Sequence, residues 1–218
     1  MRRFVVIGLG NFGSSVAEAL HAQGHEVIVV DTSESAVDRV AARVTRAAVG
    51  DGRDIKLLER IGARKADVGI VSTGDDIAAS ILASMMLRDL EITEIYVKVI
   101  SADHDRVMQR LGVSDTIFPE HESALSLATR ISGRTLLNYV RLAPGFSVQE
   151  MAVPSSWEGK SLRDLKLRTT YRIAVVALHD VLMNKHSAVP DPDVPLTDSD
   201  TLLIAGLDED LAHLAQLK

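Results

Sequence analysis

Residues 5–20, VVIGLGNFGSSVAEAL, constrain the fold more than any other stretch of this chain. An apolar, β-branched run suited to a buried parallel strand, Arg3 to Ile7, passes through Gly8, Gly10 and Gly13 in the spacing G-x-G-x-x-G and continues as a helical pattern. Each glycine has a steric reason to be there. The first permits the tight turn, the second lets a pyrophosphate approach the backbone, and the third allows helix and sheet to pack closely. The unpaired N–H groups at the start of the following helix would face the phosphate.

The spacing alone is weak evidence, so its surroundings matter. A second apolar strand, residues 26–30, ends at Asp31, 18 positions after Gly13 and 23 after Gly8. A carboxylate there can accept hydrogen bonds from ribose hydroxyls and repels a 2′-phosphate, which suits a ribose ligand and argues against NADP. The competing reading is a structural turn in which Asp31 only caps the next helix.

From Arg3 to about Gly133 short apolar strands and helices alternate, as in a parallel sheet covered on both faces. The pattern predicts strands at 45–49, 68–71, 95–99 and 116–118, and helices at 53–61, 75–89, 103–111 and 122–131. The expected fold class is α/β: a Rossmann-like doubly wound parallel sheet, residues 1–135, followed by a smaller α+β domain, residues 136–218. In such a sheet ligands bind at the carboxyl ends of the strands. The polar and small residues gathered there are Gly8, Leu9, Gly10, Asn11, Phe12 and Gly13, then Asp31 and Thr32, Asp51 and Gly52, Ser72, Thr73 and Gly74, Lys98, and Pro119 and Glu120. Lys98 stands between apolar Val97 and Val99, so its ammonium is expected to leave a buried strand toward an anion; the alternative is a snorkelling surface lysine.

Composition narrows the function. Of the 218 residues, 46% are hydrophobic, enough for a packed core. The net charge of −6 and the lack of any block of five or six like charges argue against nucleic acid as a partner. The chain has no cysteine and no apolar run near the ~20 residues that cross a bilayer, and its start lacks a signal core, so it is expected in the cytoplasm. No Walker, G-x-S-x-G or H-E-x-x-H sequence occurs, and Gly24 separates His21 from His25 too abruptly for one metal-binding face. A small NAD-dependent oxidoreductase is the alternative function, but the residues after Gly133 are few for a substrate domain.

That second region reads as two extended segments around residues 143–145, a short amphipathic helix at 161–167, a strand at 172–178 and a turn near Asp180. A loop with Pro190, Pro192 and Pro195 follows, then a strand at 201–204 and a terminal helix at 208–217.

The opening VVIGLGNFGSSVAEAL, VVD at 29–31, VGDGRD at 49–54, IYVKV at 95–99 and LGVSDTIFPE at 111–120 together resemble the RCK, or KTN, domain. GKSLRDLKLR at 159–168, followed by IAVVAL and a D-x-L-L-I-A-G ending, resembles the TrkA-C domain. The chain is thus similar, over nearly its whole length, to the cytosolic regulatory subunits of bacterial Trk and Ktr potassium-uptake systems. The resemblance implies a regulator and not an enzyme. It would be a homo-oligomer of dimers, typically an octameric ring, beneath an integral-membrane K⁺-translocating subunit of the TrkH or KtrB type at the inner face of the plasma membrane. It also implies an adenine nucleotide, ATP/ADP or NAD/NADH, held by Gly8, Gly10, Gly13 and Asp31, with Lys98 near phosphate. Glu120 would hold a cation such as Mg²⁺, Ca²⁺ or Na⁺ at the phosphates. Two departures stand out. Asn11 replaces the arginine of the ATP-responsive glycine turn, and Ala174 replaces an asparagine that accompanies Arg168 in members binding cyclic di-AMP, which argues against that ligand.

Overall fold

The structure, a computed structural model, describes residues 1–132, 136–143 and 145–214 of the chain. They form two compact units, Met1–Glu120 and His121–Lys218. The sequence drew its line at 135/136, and the helix α6 (Pro119–Ser132) occupies the interval between the two divisions. Gly133, where the alternating pattern was expected to end, lies outside the described residues, as does Pro144.

The first unit alternates β1 (Arg3–Ile7), α1 (Asn11–Ala22), β2 (Glu26–Asp31), α2 (Glu34–Ala41), β3 (Arg46–Val49) and α3 (Ile55–Arg60). It continues with β4 (Val68–Val71), α4 (Ile77–Asp89), β5 (Glu94–Lys98), α5 (Ala102–Leu111) and β6 (Asp115–Ile117). All six strands are parallel, in the order β3-β2-β1-β4-β5-β6. The period of two along β1 builds two cores. Val5 and Ile7 face Leu57, Leu58, Leu87 and Met108 on one side; Phe4 and Val6 face Ala17, Val37 and Val40 on the other. Burial of both faces explains why these strands are continuous apolar runs. Strand order reverses between β1 and β4, so the crevice at the switch point opens where the glycine turn leaves β1.

Helix starts differ from the sequence pattern by their caps. Asp54 accepts the N–H groups of Lys56 and Leu57 at 2.9 and 3.3 Å, so α3 begins at Ile55 and Arg53 is left in the loop. Asp76 accepts the Ala79 N–H at 2.8 Å and likewise delays α4 to Ile77. An aspartate side chain bonding its own backbone stops the helix from extending further toward its N-terminus.

In the second unit β7 (Leu136–Ala143) and β8 (Phe146–Ala152) pair antiparallel. Two four-residue helices, α7 (Leu162–Leu165) and α8 (Leu167–Thr170), follow, then β9 (Ala174–Asp180), β10 (Lys185–Ser187), β11 (Asp200–Leu207) and α9 (Asp208–Leu214). The five-stranded sheet runs β10-β9-β11-β8-β7. The single helix expected at 161–167 is broken at Lys166, whose φ of +49° ends one turn and begins the next. Arg172, at φ +57°, cannot join the strand expected from 172, which starts at Ala174. Strand β10 was not foreseen. Trp157, Ile173, Leu202, Ile204 and Leu211 fill a core of their own. The last residues of the expected terminal helix, 215–217, lie outside the described residues. Among the described residues no helix is long and apolar enough to cross a membrane.

Candidate functional site

The glycine turn is fixed by close backbone packing. Gly8 has φ +94°, and a Cβ there would stand 2.1 Å from the Ser72 carbonyl oxygen at the end of β4. A Cβ on Gly13 would stand 2.0 Å from the Gly8 carbonyl oxygen, so turn and helix touch where the sequence required the third glycine. Gly10 is different. Its φ is −63° and a Cβ would meet nothing within 4 Å, which leaves an open approach over the start of α1. No side chain caps that helix, so the first-turn N–H groups at Asn11, Phe12 and Gly13 are left without a side-chain acceptor.

Asp31 reaches back from the end of β2. One carboxylate oxygen accepts the Leu9 N–H at 2.6 Å and the other accepts the Ser33 N–H at 2.8 Å. The carboxylate therefore shapes the turn as well as lining the crevice, and each oxygen keeps a lone pair for a hydroxyl. Leu9 contributes its backbone; its side chain is buried.

A cavity of about 500 Å³ opens at this edge. Its wall includes Gly8, Gly10, Asp31, Thr32, Asp51, Gly52, Thr73 and Gly74, which the sequence placed together from four separate strand ends. Ser72, which the sequence grouped with Thr73 and Gly74, lines it too, as do Arg53 and Asp76, which were missed. Asp76 was hidden as a helix residue, and Arg53 because the apolar period of α3 ran through it. Arg53 grips Asp51, with Nη2 2.7 Å from Oδ2 and Nε 2.9 Å from Oδ1. This pairing, together with the Arg53 N–H, holds the Asp51 carboxyl below the usual carboxylate range.

Asn11, Phe12 and Gly13 lie at the start of α1 and are outside the cavity wall, as are Lys98 and Glu120. The Lys98 ammonium does leave β5 toward an anion: it donates to Glu120 at 2.5 Å, and that bond lowers the Glu120 pKa. The Lys98 side chain is 14% exposed and that of Glu120 62%. Among the described residues no group of three or more His, Asp or Glu is placed to hold a metal ion.

Set against an adenine nucleotide, these residues fit. The turn is open where a phosphate would approach, the helix donors are unused by side chains, and Asp31 has acceptors to spare.

Comparison with known proteins agrees with the architecture. The family model of the TrkA-N domain matches residues 4–119 and that of the TrkA-C domain matches residues 148–218. The Ktr system potassium uptake protein A of Bacillus subtilis (strain 168) is 32% identical over 213 residues, spanning 96% of this chain and 94% of that protein. Among solved structures, the GsuK channel superposes with a TM-score of 0.66 at 16% identity, covering 99% of this chain and 39% of that one, a likeness of fold. The Shewanella denitrificans Kef CTD in AMP-bound form has a TM-score of 0.53 at 25% identity, covering 61% of this chain and 82% of that one. The chain belongs to the family of TrkA-N and TrkA-C domain proteins, the RCK family that contains the Ktr and Trk potassium uptake proteins.

Proposed function

We propose that the chain is a nucleotide-sensing regulatory subunit of a Ktr- or Trk-type potassium uptake system. An adenine nucleotide, ATP/ADP or NAD/NADH, occupies the cavity and biases the shape of a homo-oligomer that controls an integral-membrane K⁺-translocating subunit. One observation carries this reading: the open Gly10 approach, the uncapped start of α1 and the Asp31 carboxylate meet at the switch point of the sheet. The AMP-bound Kef neighbour supports it. Phosphates lie over Gly8 to Gly13 and ribose at Asp31. A phosphate extending toward β5 takes Lys98 from Glu120, and the carboxylate so released accepts a hard cation that screens it from the phosphates.

The way the cavity's acids are used supports binding without chemistry. Asp31 holds backbone N–H groups, Asp51 holds Arg53 and Asp76 caps α4, so none stands free as an acid, base or activator of a nucleophile. For assembly, α6 leaves Leu125, Leu127 and Ile131 40%, 48% and 73% exposed, an apolar surface suited to burial against a second subunit. Mass measurement at micromolar concentration is expected to give a dimer or a ring of dimers; a monomer with and without nucleotide would contradict ring-based control.

The direct test is calorimetric titration of AMP, ADP, ATP, NAD and NADH. Charge-assisted bonds from Asp31 to ribose are worth about 1.5–3 kcal/mol, so Asp31→Ala should weaken all of them roughly tenfold or more. Unchanged affinity in a folded Asp31→Ala protein would remove Asp31 from the site.

A further inference from the structure

The face of the first sheet that carries Val5, Ile7, Ile28 and Val30 is only partly covered by α3. That helix packs Leu57, Leu58 and Ile61 against it but runs for six residues, and Gly62, at φ +89°, turns the chain away. Toward the amino ends of the strands the same face continues past the helix. The period of two and the strand register place on it Arg3 of β1 beside Glu26 of β2, and Arg46 of β3 beside Ile28 of β2. A cavity of about 350 Å³ is left there, walled by buried Ile28 and Ile61 and by Arg3, Arg46 and Lys65, with Glu26 the one carboxylate among its described lining residues. Its charge is the reverse of that at the carboxyl ends of the strands, where three carboxylates stand against one arginine.

Glu26 is already used, paired with Nε of Arg3. Arg46 donates from Nη1 to the Ile61 carbonyl at 3.0 Å, which accounts for one cation at the end of α3 and fixes the guanidinium with its other N–H groups to spare. Lys65, from the 3₁₀ turn Ala63–Lys65, has no ion pair among the described residues, and neither has Arg46. Two uncompensated cations thus share one cavity with an apolar wall, in a chain whose net charge is −6. The structure assigns this cavity as a second ligand site, one that takes a phosphate monoester. The phosphate of such an ester is close to a dianion at neutral pH and matches the two free cations. Arg46 takes two of its oxygens through the fork of N–H groups that Ile61 does not use, Lys65 meets it as a point charge, and the organic body lies on Ile28 and Ile61. The site is at the opposite edge of the sheet from the glycine turn and does not rest on the nucleotide reading.

Phenyl phosphate is the probe, titrated calorimetrically at fixed ionic strength into the full chain as wild type, Lys65→Gln, Lys65→Arg, Arg46→Gln and Gly10→Ala, each checked by thermal melting. Wild type is expected to bind it. Lys65→Gln should weaken binding about threefold and Arg46→Gln about tenfold or more, as loss of a charge-assisted hydrogen bond does. Lys65→Arg, which keeps the charge, and Gly10→Ala, at the other edge, should both stay within about twofold of wild type. Should Arg46→Gln melt early because α3 loses its terminal bond, Lys65→Gln still decides, since that side chain holds no ion pair among the described residues. Sedimentation with phosphatidylcholine vesicles, with and without phosphatidic acid, distinguishes the sources. Binding that requires phosphatidic acid and falls in Lys65→Gln makes the monoester a lipid headgroup; phenyl phosphate binding without it makes the ligand a soluble ester. The assignment is overturned if neither phenyl phosphate nor phosphatidic acid vesicles bind wild type, if Lys65→Gln leaves the binding unchanged, or if Gly10→Ala abolishes it.

Discussion

The two units use sheets in opposite ways. In the first, β4 is buried at every position and β1 at all but its first residue, because helices cover both faces. In the second, β8 alternates buried and partly exposed residues, as a sheet with one covered face must. The difference decides where a ligand can enter. A parallel sheet closed on both faces is open to polar groups only at its strand ends, and there Gly8, Asp31, Asp51 and Thr73 meet. The second sheet packs Leu202 and Ile204 with Leu211 of α9 in its core and leaves Val140 and Val176, 57% and 44% exposed, on strands of the same sheet. Its cavity of about 290 Å³ is set among α7, α8 and β9, beside Arg163, Arg168 and Ala174, and not at a ladder of strand ends.

Substitutions can break this contrast. The largest effect is expected at Gly8. Valine there must relieve both φ +94° and a Cβ 2.1 Å from the Ser72 carbonyl, so Gly8→Val should cost about 3 kcal/mol or more and raise hydrogen exchange throughout β1 and β4. Normal protection in those strands would show that the backbones do not approach so closely. Next is Leu202→Ala, which empties a fully buried site in the second core and should cost about 2–5 kcal/mol, whereas Val176→Ala on the same sheet should stay within about 0.5 kcal/mol. Equal costs, measured by denaturant unfolding, would erase the covered and uncovered sides of that sheet. Smaller again is Asp54→Ala, expected to lose about 1 kcal/mol with the cap of α3.

The smallest effect is a pH dependence inside the first unit. His104 on α5 is buried, with Nε2 3.1 Å from Ser80 Oγ on α4, and desolvation lowers its pKa against an opposing pull from Asp105. The folded protein therefore keeps the imidazole neutral while the unfolded chain takes up a proton below about pH 6.5. Its stability is complete above that value and declines as pH falls from there toward the lowered folded pKa. Melting temperature should drop over this window in wild type and drop less in His104→Gln, which keeps a hydrogen-bonding group for Ser80. Parallel profiles would remove His104 as the cause.

What could be read from the chain depended on how local the constraint was. Gly8, Gly13 and Asp31 were legible because turn sterics and a fixed interval act within one β-α-β unit, and the structure brings Asp31 onto the Leu9 N–H across that unit. Arg53 and Asp76 were not, since an apolar period says nothing about which aspartate will cap the helix; the caps at Asp54 and Asp76 released both residues into the cavity wall. Lys98 and Glu120 were each singled out, but their pairing joins β5 to the start of α6 across 22 residues and needed coordinates. In the second unit the left-handed backbone at Lys166 and Arg172 moved element ends, because neither residue type announces a positive φ.

Gly10 tests the central claim most directly, because it separates the site from the fold. Its backbone is at φ −63° and an added methyl meets nothing within 4 Å, so Gly10→Ala should melt within about 1 kcal/mol of wild type. The same methyl would stand where a phosphate must approach the turn. Calorimetry with AMP on wild type and Gly10→Ala is the measurement: the account predicts binding to wild type and at least a tenfold loss in the folded variant. Equal affinity in the two proteins, or no binding to wild type, would contradict a nucleotide seated on the glycine turn.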